Sequence, residues 1–200
     1  MAQSNENPQE ILTSIKSKLL EGVTNRNHGF HTPVFSNIDL NQKISSKIVV
    51  LRNYNSYENF LSFHTDYRSK KIKEIMKNPQ THLNFYDQKE KIQLRIQTTS
   101  EINFNNHVTS EAWKKTKLSS RKCYLTKKAP SSFTDIAEDG IPNHLSDKDP
   151  LEKESEIGYS NFTVIKNIIK KIDWLYLSSN GHKRLLINFL NKETFQWLIP

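Results

Sequence analysis

The sequence predicts a mainly β protein, an antiparallel barrel with a few peripheral helices. Three observations carry that expectation. Residues 91–104 (KIQLRIQTTSEINF) set Ile92, Leu94 and Ile96 against Gln93, Arg95 and Gln97, the period of two that marks a strand with one buried face. About seven such runs follow one another across short polar turns, with few helical patterns between them. Asn180-Gly181, between two apolar runs, is a strong hairpin signal.

Taken in order, residues 10–22 (EILTSIKSKLLEG) predict an amphipathic helix. Ile11, Ile15, Leu19 and Leu20 share one face, and Glu10 suits the positive N-terminal end. Residues 32–38 and 44–52 read as strands around the turn DLNQK, and Tyr57–Thr65 as a third after an Asn- and Ser-rich loop. SKKIKEIMKN then changes the period: Ile72, Ile75 and Met76 fall at helical spacing, Ser69 is the expected N-cap, and Asn78-Pro79 stops the helix. Strands follow at 81–87 and 91–104, and a short helix at 107–118 capped by Thr109 or Ser110. Residues 127–156 are the least regular stretch, expected as a surface excursion and not a domain boundary. Strand patterning returns at 162–177, 182–190 and 194–199, the last two joined by a tight Asn191-Lys192-Glu193 connection.

Two hundred residues suit a single domain over 1–200 with a real core. The mean hydropathy of -0.70 is strongly polar, yet 10% aromatic residues argue against disorder. Five glycines are too few for a glycine-rich nucleotide loop, so any bound phosphate relies on side chains and a helix N-terminus. The formal charge of +8 admits a phosphorylated ligand, nucleic acid or an anionic surface as partner, and equally a lysine-rich solvated face. Cys123 is the one cysteine, which forbids an intrachain disulfide and any cysteine-based zinc site. The histidines offer no metal set. Met1 to Pro8 is polar without a cation, unlike a signal peptide, and no apolar run approaches ~20 residues. A soluble, cytoplasmic protein without membrane contact is expected.

The stretch from Lys47 to Lys71 carries the chemistry. A β-branched run ends in Arg52, a second strand ends in His64-Thr65, and Ser69, Lys70 and Lys71 open a helix. That order gathers hydroxyls, cations and free backbone N–H groups, a set suited to a phosphate dianion.

The same residues resemble the flavin-phosphate motif of the pyridoxamine 5'-phosphate oxidase-like, FMN-binding split-barrel family. The family's strand R-x-V-L-[LR]-[KR] is matched by Lys47-Ile48-Val49-Val50-Leu51-Arg52, and its [YF]-T-x-x-x-S-[RK]-K by His64-Thr65-Asp66-Tyr67-Arg68-Ser69-Lys70-Lys71. Gln93 in IQLRIQ matches the glutamine of its (R)-Q-[VL]-[RK]-[VI]-x-G strand. Trp174 and Arg184 are candidates for its C-terminal Trp and basic residue, and Ser131 for a further flavin contact. The resemblance implies an antiparallel split β-barrel and a homodimer with FMN in the interface groove, the phosphate held by one subunit and the ring completed by the other. It also implies Lys47 to Arg52, His64, Thr65, Ser69, Lys70, Lys71, Gln93, Ser131, Trp174 and Arg184 as flavin contacts. Taken singly, each has a plain structural alternative: solvated lysines, a helix cap, the wet face of a strand, a core tryptophan.

Departures from the oxidase itself are plain. Its R-P-R-x-S-Q-x-G-A-W segment is replaced by residues 117–126 (KLSSRKCYLT), and its terminal H-D-R by Leu186-Ile187-Asn188. Vitamin B6 oxidation is not expected; the oxidase-related branch fits better. The expectation is an FMN-dependent oxidoreductase acting on a small substrate, with NAD(P)H as a possible reductant. The alternatives are a non-catalytic flavin sensor, store or stress-response module, and a basic nucleic-acid-binding barrel. A deazaflavin or larger flavin in place of FMN stays open.

Overall fold

The computed structural model describes residues 6–190 and 192–200. Residues 1–5 of the polar N-terminus and Asn191 of the expected last turn lie outside them. Helix α1 (Pro8–Thr24) starts where Asn7 accepts from the Gln9 N–H at 3.0 Å, with Pro8 inside the first turn. Its buried face is Leu12, Ile15, Leu19 and Gly22, while Leu20 is 49% exposed. The helix is therefore rotated from the expected Ile11–Ile15–Leu19–Leu20 face. Gly22 explains the phase: a Cβ there would sit 3.0 Å from the backbone of Phe30, so only the glycine face can come that close to the barrel.

The strands are β1 (Val34–Ile38), β2 (Ile44–Ile48), β3 (Asn53–Asn55), β4 (Phe60–Asp66), β5 (Gln80–Asp87), β6 (Ile92–Phe104), β7 (Phe162–Tyr176), β8 (Lys183–Asn188) and β9 (Thr194–Leu198). They form one antiparallel sheet in the order β2-β1-β5-β6-β7-β4-β3, with β8 pairing the second half of β7 and β9 pairing β8. Its two ends, β2 and β3, are consecutive pieces of one chain segment. Residues 49–52 between them turn the path into a barrel: Val49 and Leu51 N–H groups donate to Pro33 and His31 carbonyls at 3.0 and 2.9 Å, and the Arg52 N–H donates to the Ser62 carbonyl at 2.8 Å. The strand thus leaves β1 and joins β4 at this point, which is the split. The sequence places a loop over Asn53–Asn55, because three polar residues give no apolar period; pairing with β4 makes them a strand.

Inside the barrel pack Phe35, Leu61, Phe63, Leu83, Phe85, Leu94, Ile96 and Ile165, with Phe35 and Phe63 edge-on at 4.9 Å. Helix α2 (Lys70–Lys77) closes one end with Ile72 and Ile75, whereas Met76 faces out at 59% exposure. Strand β7 is buried on both faces. Its residues 163, 165 and 167 point inward, while Phe162 and Val164 pack against Trp113 and Tyr124 outside. Helix α3 (His107–Lys115) supplies Trp113. Its N-cap is Asn106, with Thr109 as the reciprocal partner of the capping box and not the cap itself. The expected helix 107–118 breaks at Thr116, and a further turn, α4 (Leu118–Arg121), follows. Buried Arg121 donates to Trp113 and Thr116 carbonyls, Ser155 and Glu156. It thereby ties α4 to the return segment, where the short α5 (Glu152–Ser155) runs into a 3-10 turn over Glu156–Asn161. Between them the chain over 127–151 is largely irregular and exposed, as the sequence predicts.

Candidate functional site

The end of the barrel beneath α2 collects the polar residues that the sequence singles out. Alternation along β4 sends Leu61, Phe63 and Thr65 inward. Lys71, from the first turn of α2, donates to Thr65 Oγ1 at 2.8 Å and Ser69 Oγ at 3.2 Å. Ser69 occupies the N-cap position, but its hydroxyl donates to the Asp66 carbonyl at 2.7 Å and does not cap the helix. In the first turn the Ile72 N–H donates to the Ser69 carbonyl at 3.0 Å, while the Lys70 and Lys71 N–H groups stay open to a ligand. Lys47, on the inward face of β2, donates to Asn37 Oδ1 at 2.7 Å and lies 3.9 Å from Glu74. Asn37 donates in turn to Glu74 at 2.8 Å.

This cradle is short of negative charge. Burial, then the Lys47 ammonium, push the Lys71 pKa below the usual lysine value, against the pull of Asp66 and Glu74. Burial lowers Lys47 likewise, with Glu74 opposing. Asp66 is already engaged by Arg68 through both carboxylate oxygens. Each lysine carries three donors, more than its protein partners use. A phosphate dianion here would meet spare donors, a helix N-terminus and two under-compensated cations, so the residues present fit the phosphate of a flavin mononucleotide. The backbone beside it fits the ring. Along residues 49–52, N–H groups alternate between two sides: Val49 and Leu51 bond toward β1, Arg52 toward β4, and the Val50 N–H faces the split with no partner among the described residues.

The other candidates fall elsewhere. Lys70 opens α2 on its solvent side, exposed where Lys71 is half-buried. Ile48 is 71% exposed on the outer face of β2, while Leu51 is core. Gln93 stands on the outer face of β6, donating to Asn84 at 3.1 Å. It shares a cross-strand row with Leu175 and Arg184. Arg184 grips Asp173 with two nitrogens, at 3.0 and 2.8 Å, and Arg95 holds the same carboxylate. Neither Gln93 nor Arg184 bonds to the cradle. Trp174 pairs with Leu94 and Leu185 in the core and stacks on Tyr176. Ser131 sits exposed in a turn at φ 65 and joins neither group.

Arg52 and His64 line a cleft of about 700 Å³ on the outer side of β4. Phe60 and Val164 form part of its floor, and α3 with the turn into α4 forms its roof. Glu58 is paired with Lys166 at 2.8 Å and Glu111 with Lys114 at 2.9 Å. Arg26, Arg52, Lys115 and Lys117 face the cleft without an ion-pair partner among the described residues. His64 packs edge-on to Phe162 at 4.8 Å. Burial first, then the Arg52 guanidinium, push its pKa down to about 3. Sequence reasoning misses most of this cleft, because its walls come from segments far apart in the chain. Phe60 and Ser62 had a signal, lying four and two residues before His64 on one strand face.

These features belong to a flavin-binding barrel, and comparison with known proteins agrees. The sequence profile described as pyridoxamine 5'-phosphate oxidase, FMN-binding domain, matches residues 12–103. Residues 12–103 therefore match a pyridoxamine 5'-phosphate oxidase-type FMN-binding domain, and the cofactor of that domain is FMN. No curated protein sequence matches it. Among solved structures, a pyridoxamine 5'-phosphate oxidase-related, FMN binding protein from Nostoc punctiforme aligns over 100% of both chains, with 16% identity and a TM-score of 0.71. PhzG from Burkholderia lata, in complex with tetrahydrophenazine-1-carboxylic acid, aligns over 100% of this chain and 98% of its own, with 14% identity and a TM-score of 0.72. ChuZ of Campylobacter jejuni aligns over 96% of this chain and 64% of its own, at 11% identity and a TM-score of 0.57. At these identities they show the split-barrel fold. Among the described residues no helix is long and apolar enough to cross a membrane, and no cluster of side chains is suited to a metal ion.

Proposed function

We propose that the protein is an FMN-dependent oxidoreductase whose substrate is a small anion with an apolar body. The observation that carries this reading is the contact of two sites through one strand. Thr65 enters the phosphate cradle, and its neighbour His64 enters a cleft with unpaired cations over an apolar floor. Lys47, Thr65, Ser69 and Lys71 hold the phosphate, and Val49 and Val50 lie along the ring edge. Arg52 faces the cleft, where it orients a substrate anion toward the ring. Bound FMN supplies the hydride-accepting chemistry. The PhzG complex holds an aromatic carboxylate, a ligand of the same chemical class.

A homodimer is part of the reading, with residues 1–200 of each chain acting as one unit in the cytoplasm. Its support is the placement of Gln93 and Arg184 on an outer face, out of reach of their own cradle, with exposed Tyr86 directly across from Gln93 and exposed Ile48 farther along the same sheet. A partner's cradle brought against that face would complete the ring contacts. Sedimentation should give twice the chain mass.

The test is anaerobic mixing of the FMN-loaded protein with NADH or NADPH. Bleaching of the blue flavin band, restored by air, is the expected result. Tightly held flavin that neither dinucleotide nor any anionic substrate reduces would favour the non-catalytic sensor or store.

A further inference from the structure

His64 differs from the charged residues of the cleft in what it offers a ligand, and unlike the hydroxyls of Ser62 and Ser120 on the same walls it presents its acceptor on a rigid ring. Arg52, Lys115 and Lys117 only donate hydrogen bonds, and the carboxylates of Glu58 and Glu111 are held by lysines. The edge-on contact with Phe162 fixes the plane of the imidazole, and neither ring nitrogen has a hydrogen-bond partner among the described residues. With its pKa near 3, the ring is neutral at ordinary pH and presents one N–H and one lone pair. A base that weak does not store a proton, so its use is as a hydrogen-bond partner. The motif that residues 64–71 resemble has Tyr or Phe where this chain has His64.

We infer that His64 selects the ligand of the cleft: its lone pair accepts a hydrogen bond from a hydroxyl or amino group carried near the anionic group that Arg52 pairs. The ligand class is then a small apolar anion that also bears an O–H or N–H donor, such as a hydroxylated or aminated aromatic acid. The inference rests on the reading of the cleft as an anion site. It predicts discrimination between a donor and its methylated isostere, because a methyl ether leaves the lone pair unmatched and adds bulk against the ring.

The probes are benzoate, the isomeric hydroxybenzoates and their methyl ethers. Each is titrated into the FMN-loaded protein and followed by calorimetry and by the shift of the flavin absorption. For at least one isomer the hydroxyl form should bind about tenfold more tightly than its ether, the worth of one neutral hydrogen bond. His64→Phe should bring the pair within about twofold, with any change in benzoate affinity smaller than the loss for the hydroxyl form, and His64→Gln, which restores an acceptor, should recover the preference. Arg52→Ala should weaken all probes together. A preference that survives in His64→Phe, or an equal loss for benzoate and hydroxybenzoate, would overturn the role of His64. Benzoate bound without any hydroxyl preference would overturn it as well, leaving the anion cleft intact. Retained FMN with none of the probes bound would overturn the cleft reading and this inference with it.

Discussion

Lys71 and Thr65 meet at 2.8 Å across the junction of α2 and β4, and that contact separates two lysines that look alike in sequence. Lys70 points to water and Lys71 into the barrel end. Lys71→Ala is expected to weaken FMN binding by about 2 kcal/mol, the scale of a charge-assisted hydrogen bond. Lys70→Ala should cost well under that, since its charge is solvent-screened. Titrating each variant with FMN and following the quenching of flavin fluorescence gives both values.

The pH dependence of binding follows from the same lysine. Burial and Lys47 lower the pKa of Lys71 in the free protein, and a bound phosphate dianion would favour the charged form and raise it again. FMN affinity should therefore fall as pH rises through the lowered pKa, earlier than an ordinary lysine would allow. An affinity flat to the ordinary lysine range would place the phosphate elsewhere.

His64 makes stability depend on pH in the acid range. Its pKa is about 3 in the folded protein against an ordinary 6.5, so below 6.5 the unfolded chain takes up a proton that the folded one refuses. The contribution is intact above that ordinary value and is lost as pH falls toward the folded pKa. The loss approaches about 1.4 kcal/mol per pH unit. Urea unfolding at a series of pH values should show that slope, and His64→Phe should remove this component.

Gly29 tests the packing behind the site. A Cβ there would lie 2.7 Å from Asp87 Cα and 2.8 Å from the Tyr86 carbonyl oxygen, backbone that cannot swing aside. Gly29→Ala should destabilise the fold by about 1–3 kcal/mol through overpacking, measured by thermal unfolding, with little change in FMN affinity per folded molecule.

How much was legible in the sequence depends on the range of the forces involved. The alternation of β6, the start and stop of α2 and the Asn180-Gly181 turn were readable, because each rests on neighbours a few residues apart. The phase of α1 was not, since Ile11, Leu12, Leu19 and Leu20 allow two faces and the approach of Gly22 to Phe30 decides between them. The inward turn of Trp174 was not legible for a similar reason. Trp174, Leu175 and Tyr176 are all apolar, so only pairing with Leu94 and Leu185 fixes which one turns inward. The cradle was half legible: the motif named Lys47, Thr65, Ser69 and Lys71, while Asn37 and Glu74 join it only through tertiary contact. The cleft, assembled from α1, β4, β7 and α3, had almost no local signature.

The central claim is that the barrel end beneath α2 holds the phosphate of FMN. The most direct measurement compares FMN with riboflavin, which lacks that phosphate, in the native protein and in Lys71→Ala. The native protein should bind FMN far more tightly than riboflavin, and the variant should lose about tenfold or more of that preference while its riboflavin affinity stays unchanged. An undiminished preference in Lys71→Ala, or an equal loss for both flavins, would contradict the account.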